Sequence, residues 1–167
     1  QINVMIQLNV DTVNIFSPYP IWISGNEYIF TTDNGIEYSV SFDEEENFEY
    51  KSYWFNLTNL SHQKSPGDVK IAQTVICIIE EFFRQNPDIL LYLCSTDGGQ
   101  QAQRSRLFLR WFNGYEQQKK YMIKSAEVKG EGVSEYISLI LMTSHPQINE
   151  ISEAFDNIVQ MFNDNKL

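Results

Sequence analysis

The stretch "SPGDVKIAQTVICIIEEFFRQNPDILLYLC", residues 65–94, constrains the fold more than any other part of the chain. Val69, Ala72, Val75, Ile76, Ile79, Phe82 and Phe83 recur at helical spacing and mark a broad apolar face. Ile71 and Ile78 widen that face, so the helix is expected to be covered over much of its circumference. Ser65 is a suitable N-cap, Pro66 suits a first turn, and Asp68 follows the cap by three residues. Asn86-Pro87 stops the helix. The run "ILLYLC" then has the uninterrupted apolar character of a central strand. A helix of this size between two strands is a crossover, which predicts a parallel pair in the middle of a sheet.

The remaining pattern supplies the other elements. Ile2, Val4, Ile6, Leu8 and Val10 alternate, which predicts a strand over 2–10. Residues 17–26, with Pro18, Pro20 and Gly25, read as an irregular connection. Strands are predicted at about 27–32 and 36–42 around the hairpin signal "DNG", where Asn and Gly both accept positive φ. A charged loop "DEEENFE" and a strand over 50–60 follow. Beyond residue 94 come a helix at about 100–113 and strands at 119–128 and 134–143 around "KGEGVS". A last helix spans about 147–163, with the stripe Ile148, Ile151, Phe155, Ile158, Val159 and Phe162. Ser144 and Gln147 have capping-box spacing before it. The fold class is α+β, with a mixed, mainly antiparallel central sheet and three main helices. One domain over 1–167 is expected, with residues 1–26 preceding a compact core at 27–167.

Composition narrows the function classes. A formal net charge of -10 argues against nucleic acid or an anionic membrane as a partner held by a general field. No apolar run reaches the length of about 18 residues needed to span a bilayer. The start of the chain has no basic segment followed by an apolar one, so no secretory signal is read there. Cys77 and Cys94 lie inside apolar runs as small hydrophobes, which fits a reducing cytoplasm and makes neither a nucleophile.

Three antiparallel strands, a helix, a strand, a helix and a final strand pair resemble the core of GNAT-type N-acetyltransferases over residues 27–143. That family carries an Arg/Gln-x-x-Gly-x-Gly/Ala loop before its central helix, which holds the coenzyme A pyrophosphate on backbone N–H groups. The corresponding place here reads "HQKSPGDVK". The resemblance implies Lys64, Ser65 and Gly67 as the cofactor contacts, with Asp68 standing where an anion would approach. The family's leaving-thiolate tyrosine corresponds to Phe108 in "RLFLRWFNGY", which has no proton to donate. The segment from "DVK" to "RWF" is also similar to small uncharacterised proteins of Bacteroidetes, from which no activity carries over.

The run "CSTDGGQQAQRSRLFLRWF" carries a further candidate. On a helical wheel Arg104 aligns with Leu107, Phe108 and Trp111. An inward arginine needs a partner, and Asp97 is the nearest. One reading is an Asp97–Arg104 lock between strand and helix. The other is an anion corner of Asp97, Gly98, Gly99, Gln100 and Arg104 that receives a carboxylate or phosphate. Arg106 and Arg110 face the opposite side, where they read either as a solvated helix face or, with Lys119 and Lys120, as a surface basic patch open to an anion. Asp43, Glu44, Glu45, Glu46 and Glu49 lack the alternation of a calcium loop and read as a solvated face. His62 and His145 have no companion at metal spacing, so no metal site is expected. Ile15, Phe16, Tyr19, Ile21, Trp22 and Ile23 either cover the chain's own core or pack on a second copy or partner.

The leading expectation is a cytoplasmic protein-interaction or adaptor module on a catalytically degenerate acetyltransferase-like fold, with no cofactor. The first alternative is an acyl-CoA-dependent N-acyltransferase, using acetyl-CoA with its acyl arm between strands 53–60 and 89–95. The second is a small-anion sensor built on the 94–112 corner.

Overall fold

The structure, a computed structural model, describes residues 5–64, 66–95, 110, 120–129 and 134–164. Its helices are α1 (Val10–Phe16), α2 (Val69–Gln85) and α3 (Ile148–Asp164). Its strands are β1 (Trp22–Ser24), β2 (Glu27–Thr31), β3 (Glu37–Glu45), β4 (Ser52–Asn59), β5 (Ile89–Ser95), β6 (Tyr121–Lys129) and β7 (Ser134–Met142). They pair in the order β1-β2-β3-β4-β5-β7-β6, a mixed and mainly antiparallel sheet in an α+β fold. The predicted crossover is present, since α2 connects β4 to a parallel β5. The parallel ladder runs Ser52↔Ile89, Tyr53↔Leu90 and Trp54↔Leu91. Two compact units are distinguished, Gln1–Glu44 with Phe55–Pro87, and Glu45–Trp54 with Asp88–Leu167.

In the first unit α2 is the organising element. Ile71, Val75, Ile76, Ile78, Ile79, Phe82 and Phe83 are all buried, so apolar contact surrounds much of the helix as its sequence predicts. Phe82 stacks on Phe42 of β3 with ring centroids 5.1 Å apart. A second stack, Tyr19–Phe30–Tyr38, fills the other end of the sheet face. The helix starts later than the capping pattern suggests. Asp68 is the N-cap and its carboxylate accepts from the Lys70 N–H at 2.9 Å. Ser65 lies outside the described residues. Asn86 closes the helix as expected.

The strand predicted over 2–10 is not formed by its described residues. Residues 5–9 form no ladder, and α1 begins at Val10 after an extended Asn9. Asn9 caps α1 by accepting from the Thr12 N–H, and that local bond outweighs the β-branched composition. The backbone of 5–9 pairs with side chains instead of a strand. The Asn86 amide accepts from the Ile6 N–H at 2.7 Å and donates to the Ile6 carbonyl at 3.1 Å. The Leu8 N–H donates to the Tyr28 hydroxyl at 3.0 Å, and the Asn9 N–H donates to Glu81 at 2.8 Å. The alternation is not kept, since Ile6 and Leu8 would share one face of a strand but Ile6 is exposed while Leu8 is only 3% exposed.

The residues read as an irregular connection contain β1 and a hairpin. Gly25, at φ 62, opens a two-residue turn into β2. At "DNG" only Gly35 has positive φ (76). Thr32 and Ile36 close a three-residue loop, so Asn34 does not take the conformation expected of it. The acidic run is not all loop, because β3 continues through Glu45.

In the second unit β5 and β7 pack Ile89, Leu91, Leu139 and Leu141 against Ile151 and Phe155 of α3, with Met122 and Ala126 of β6 packed beside them. Lys124 of β6 holds α3 through Asp156 and Ser152, at 2.7 and 2.8 Å. The predicted stripe is only partly covered, as Phe162 is 54% exposed. The Ser144–Gln147 capping box is absent. Gln147 supplies the first carbonyl of α3, to the Ile151 N–H, and its own N–H donates to His145 Nδ1.

Glu81 is a buried carboxylate of the first unit, at 1% exposed. Burial pushes its carboxyl upward, but Arg84, the Asn9 N–H and Gln85 together hold it below the usual carboxylate range. A depressed folded pKa contributes stability above the unfolded value of about 4.3, and that contribution is lost as pH falls through the folded pKa. Glu81→Gln is therefore expected to cost about 1.5–3 kcal/mol at neutral pH. Denaturant titrations of both forms should converge in strongly acidic buffer; an unchanged gap there would contradict this assignment.

Candidate functional site

Two features of the first unit stand out, one polar and one apolar. The polar one lies at the N-terminus of α2. The Tyr19 hydroxyl donates to the Asp68 carboxylate and accepts from the Asp33 N–H at 3.3 Å. Lys70 Nζ sits 3.1 Å from Asp33 and 5.7 Å from the Tyr19 ring centroid. Burial, reinforced by the bond to Asp68, pushes the Tyr19 hydroxyl up to about 12, so it stays protonated at neutral pH. The arrangement is closed upon itself. The helix's own carboxylate accepts the Lys70 N–H and the tyrosine proton, leaving Asp68 in the position an incoming anion would need.

The apolar feature is built by α1 and β1. Asn14 joins them, accepting from the Ile21 N–H at 2.8 Å and donating to the Ile21 carbonyl at 3.0 Å. This joint ties the last turn of α1 to the residue before β1. Ile15 is 68% exposed and Phe16 84%, and both apolar residues of the edge strand β1 are exposed as well. The alternatives read for this segment divide by residue. Tyr19 and Ile21 cover the chain's own core, while Ile15, Phe16, Trp22 and Ile23 face solvent.

The other sequence candidates separate in space or fall outside the described residues. Lys64 and Gly67 are exposed, and a side chain at 67 would meet nothing within 4 Å. Gly67 is thus not a glycine demanded by close packing. Asp97, Gly98, Gly99, Gln100, Arg104, Arg106, Phe108 and Lys119 lie outside the described residues, as does the helix read at 100–113 apart from Arg110. Arg110 and Lys120 are exposed. Cys77 is half-buried and burial raises its thiol to about 11, which leaves little thiolate at neutral pH. Among the described residues no group of three or more His, Cys, Asp or Glu is arranged to hold a metal ion. No described helix is long and apolar enough to cross a membrane. Sequence reading missed Asn14, Tyr28, Glu81 and Asn86. The only signal for Glu81 was a charge inside a helix whose neighbouring positions are almost all apolar.

Residues 67–157 match a family of unknown function, DUF6169. The chain belongs to this family. No curated protein and no solved structure matches it. The DUF6169 segment begins at Gly67, so it includes Asp68, Lys70 and Glu81 but not Tyr19 or α1.

Tyr19→Phe removes both the donor to Asp68 and the acceptor for Asp33. The expected cost is about 1–3 kcal/mol, or roughly 2–4 °C in Tm per kcal/mol for a chain of this size. Calorimetry that finds the Tm of the variant unchanged would show the hydroxyl bonds to be of no consequence.

Proposed function

We propose that this chain is a cytoplasmic protein-interaction module on an acetyltransferase-like fold that no longer binds acyl-CoA. The reading is carried by the exposed apolar residues Ile15, Phe16, Trp22 and Ile23, which flank the Asn14–Ile21 joint in the sequence. Exposed apolar clusters of this kind are contact surfaces in folded proteins. The strand order and the crossover through α2 into a parallel β5 support the fold likeness. The self-capped end of α2 supports the loss of cofactor binding, because pyrophosphate would have to displace Asp68 from Lys70 and Tyr19.

The test has two arms. A ligand present at a hundred times its Kd adds about 2.7 kcal/mol to the folded state. Acetyl-CoA at millimolar concentration is expected to leave the Tm unchanged; a rise that disappears in Lys64→Ala would favour an acyltransferase. Proteins retained by the immobilised chain should be lost with Phe16→Ser and Trp22→Ser, whose folding is unaffected because both side chains are exposed. Full retention by both variants would remove the apolar surface from the account.

A further inference from the structure

We infer that the surface formed by Tyr28, Glu81 and Asn86 is a peptide groove occupied by the chain's own residues 6–9, and that the same segment of a second copy can occupy it by exchange. The inference rests on the interaction reading above and names its partner. The contacts are those of peptide recognition rather than of a sheet. Asn86 pairs with both peptide groups of Ile6, the Tyr28 hydroxyl takes the Leu8 N–H, and Glu81 takes the Asn9 N–H. Of residues 6–9 only Leu8 is buried, while Ile6 and Gln7 are exposed. Backbone-directed bonds with one side-chain pocket are the usual economy of extended-peptide binding.

The segment that fits the groove is the chain's own, so a second copy presents the same complement. The arm of residues 5–16 is joined to the body by Ser17 and Pro18, since Tyr19 is already fixed through Asp68 and Thr74. Its remaining attachments are the buried side chain of Val13, where α1 packs on α2, and the two-way amide bonds of Asn14 to Ile21; both can form equally well between copies. Exchange would bring the two hinges together. Ile15, Phe16, Trp22 and Ile23 flank that hinge, which gives their exposure a reason: they are positioned to face their equivalents in the exchanged dimer.

The test refolds the full chain from denaturant at dilute and at millimolar concentration and measures mass by light scattering. A species of twice the 19.5 kDa chain mass is expected only at high concentration. In a dimer of mixed isotope labels, Leu8 methyls of one copy should show contacts to Tyr28 of the other. Phe16→Ser should lose the dimer and keep the monomer folded. A strictly monomeric chain after concentrated refolding overturns the inference while leaving other protein partners open. A dimer whose Leu8–Tyr28 contacts are only intramolecular, or one that survives Phe16→Ser, also overturns it. Acetyl-CoA binding, measured separately, would instead count against the functional reading itself.

Discussion

A buried carboxylate on α2 decides where the N-terminal arm lies. Glu81 is held on one side by Arg84 and Gln85 of its own helix and on the other by a backbone N–H of the arm. Burying a charge is costly unless it is well bonded, so the helix requires that third donor. The arm in turn carries α1, and α1 is tied to the start of β1. A charge on one helix thereby fixes the entry of the chain into the sheet and leaves Ile15 and Phe16 facing outward.

Amide side chains repeat the same solution elsewhere. Asn86 satisfies Ile6 and Asn14 satisfies Ile21, each pairing with both peptide groups of one residue. In the second unit Asn163 accepts from the Lys129 N–H and donates to the Glu127 carbonyl, covering part of the edge strand β6. Open backbone groups are a hazard at sheet edges, and an asparagine supplies a donor and an acceptor without another strand. These bonds hold local geometry beside the buried contacts that the same segments make through Leu8, Val13, Ile151 and Phe155.

Much of the architecture was legible. The apolar spacing of α2, the Asn86-Pro87 stop and the uninterrupted run of β5 implied the parallel crossover, and the alternating runs at β2, β3, β4, β6 and β7 marked strands. The errors have physical reasons. Residues 2–10 alternate as a strand does, but Asn9 found a closer partner in Thr12 and began a helix. Ser65 looked like the better cap by type, yet Asp68 gains both the Lys70 N–H and the Tyr19 hydroxyl. Part of the site was legible, since Ile15, Phe16, Trp22 and Ile23 and Asp68 stand out in the sequence, but Asn86 meets Ile6 across eighty positions and Glu81 meets Asn9 across seventy-two. Spacing rules describe neighbours along the chain, and these contacts arise only after the fold has formed.

The central claim is that side chains of the body, rather than a ladder, hold the arm in place. Hydrogen exchange resolved at single amides tests it most directly. Ile6, Leu8 and Asn9, whose N–H groups are bonded to Asn86, Tyr28 and Glu81, should exchange far more slowly than Gln7 between them. Uniformly fast exchange over residues 5–9, with α2 still protected, would contradict the account.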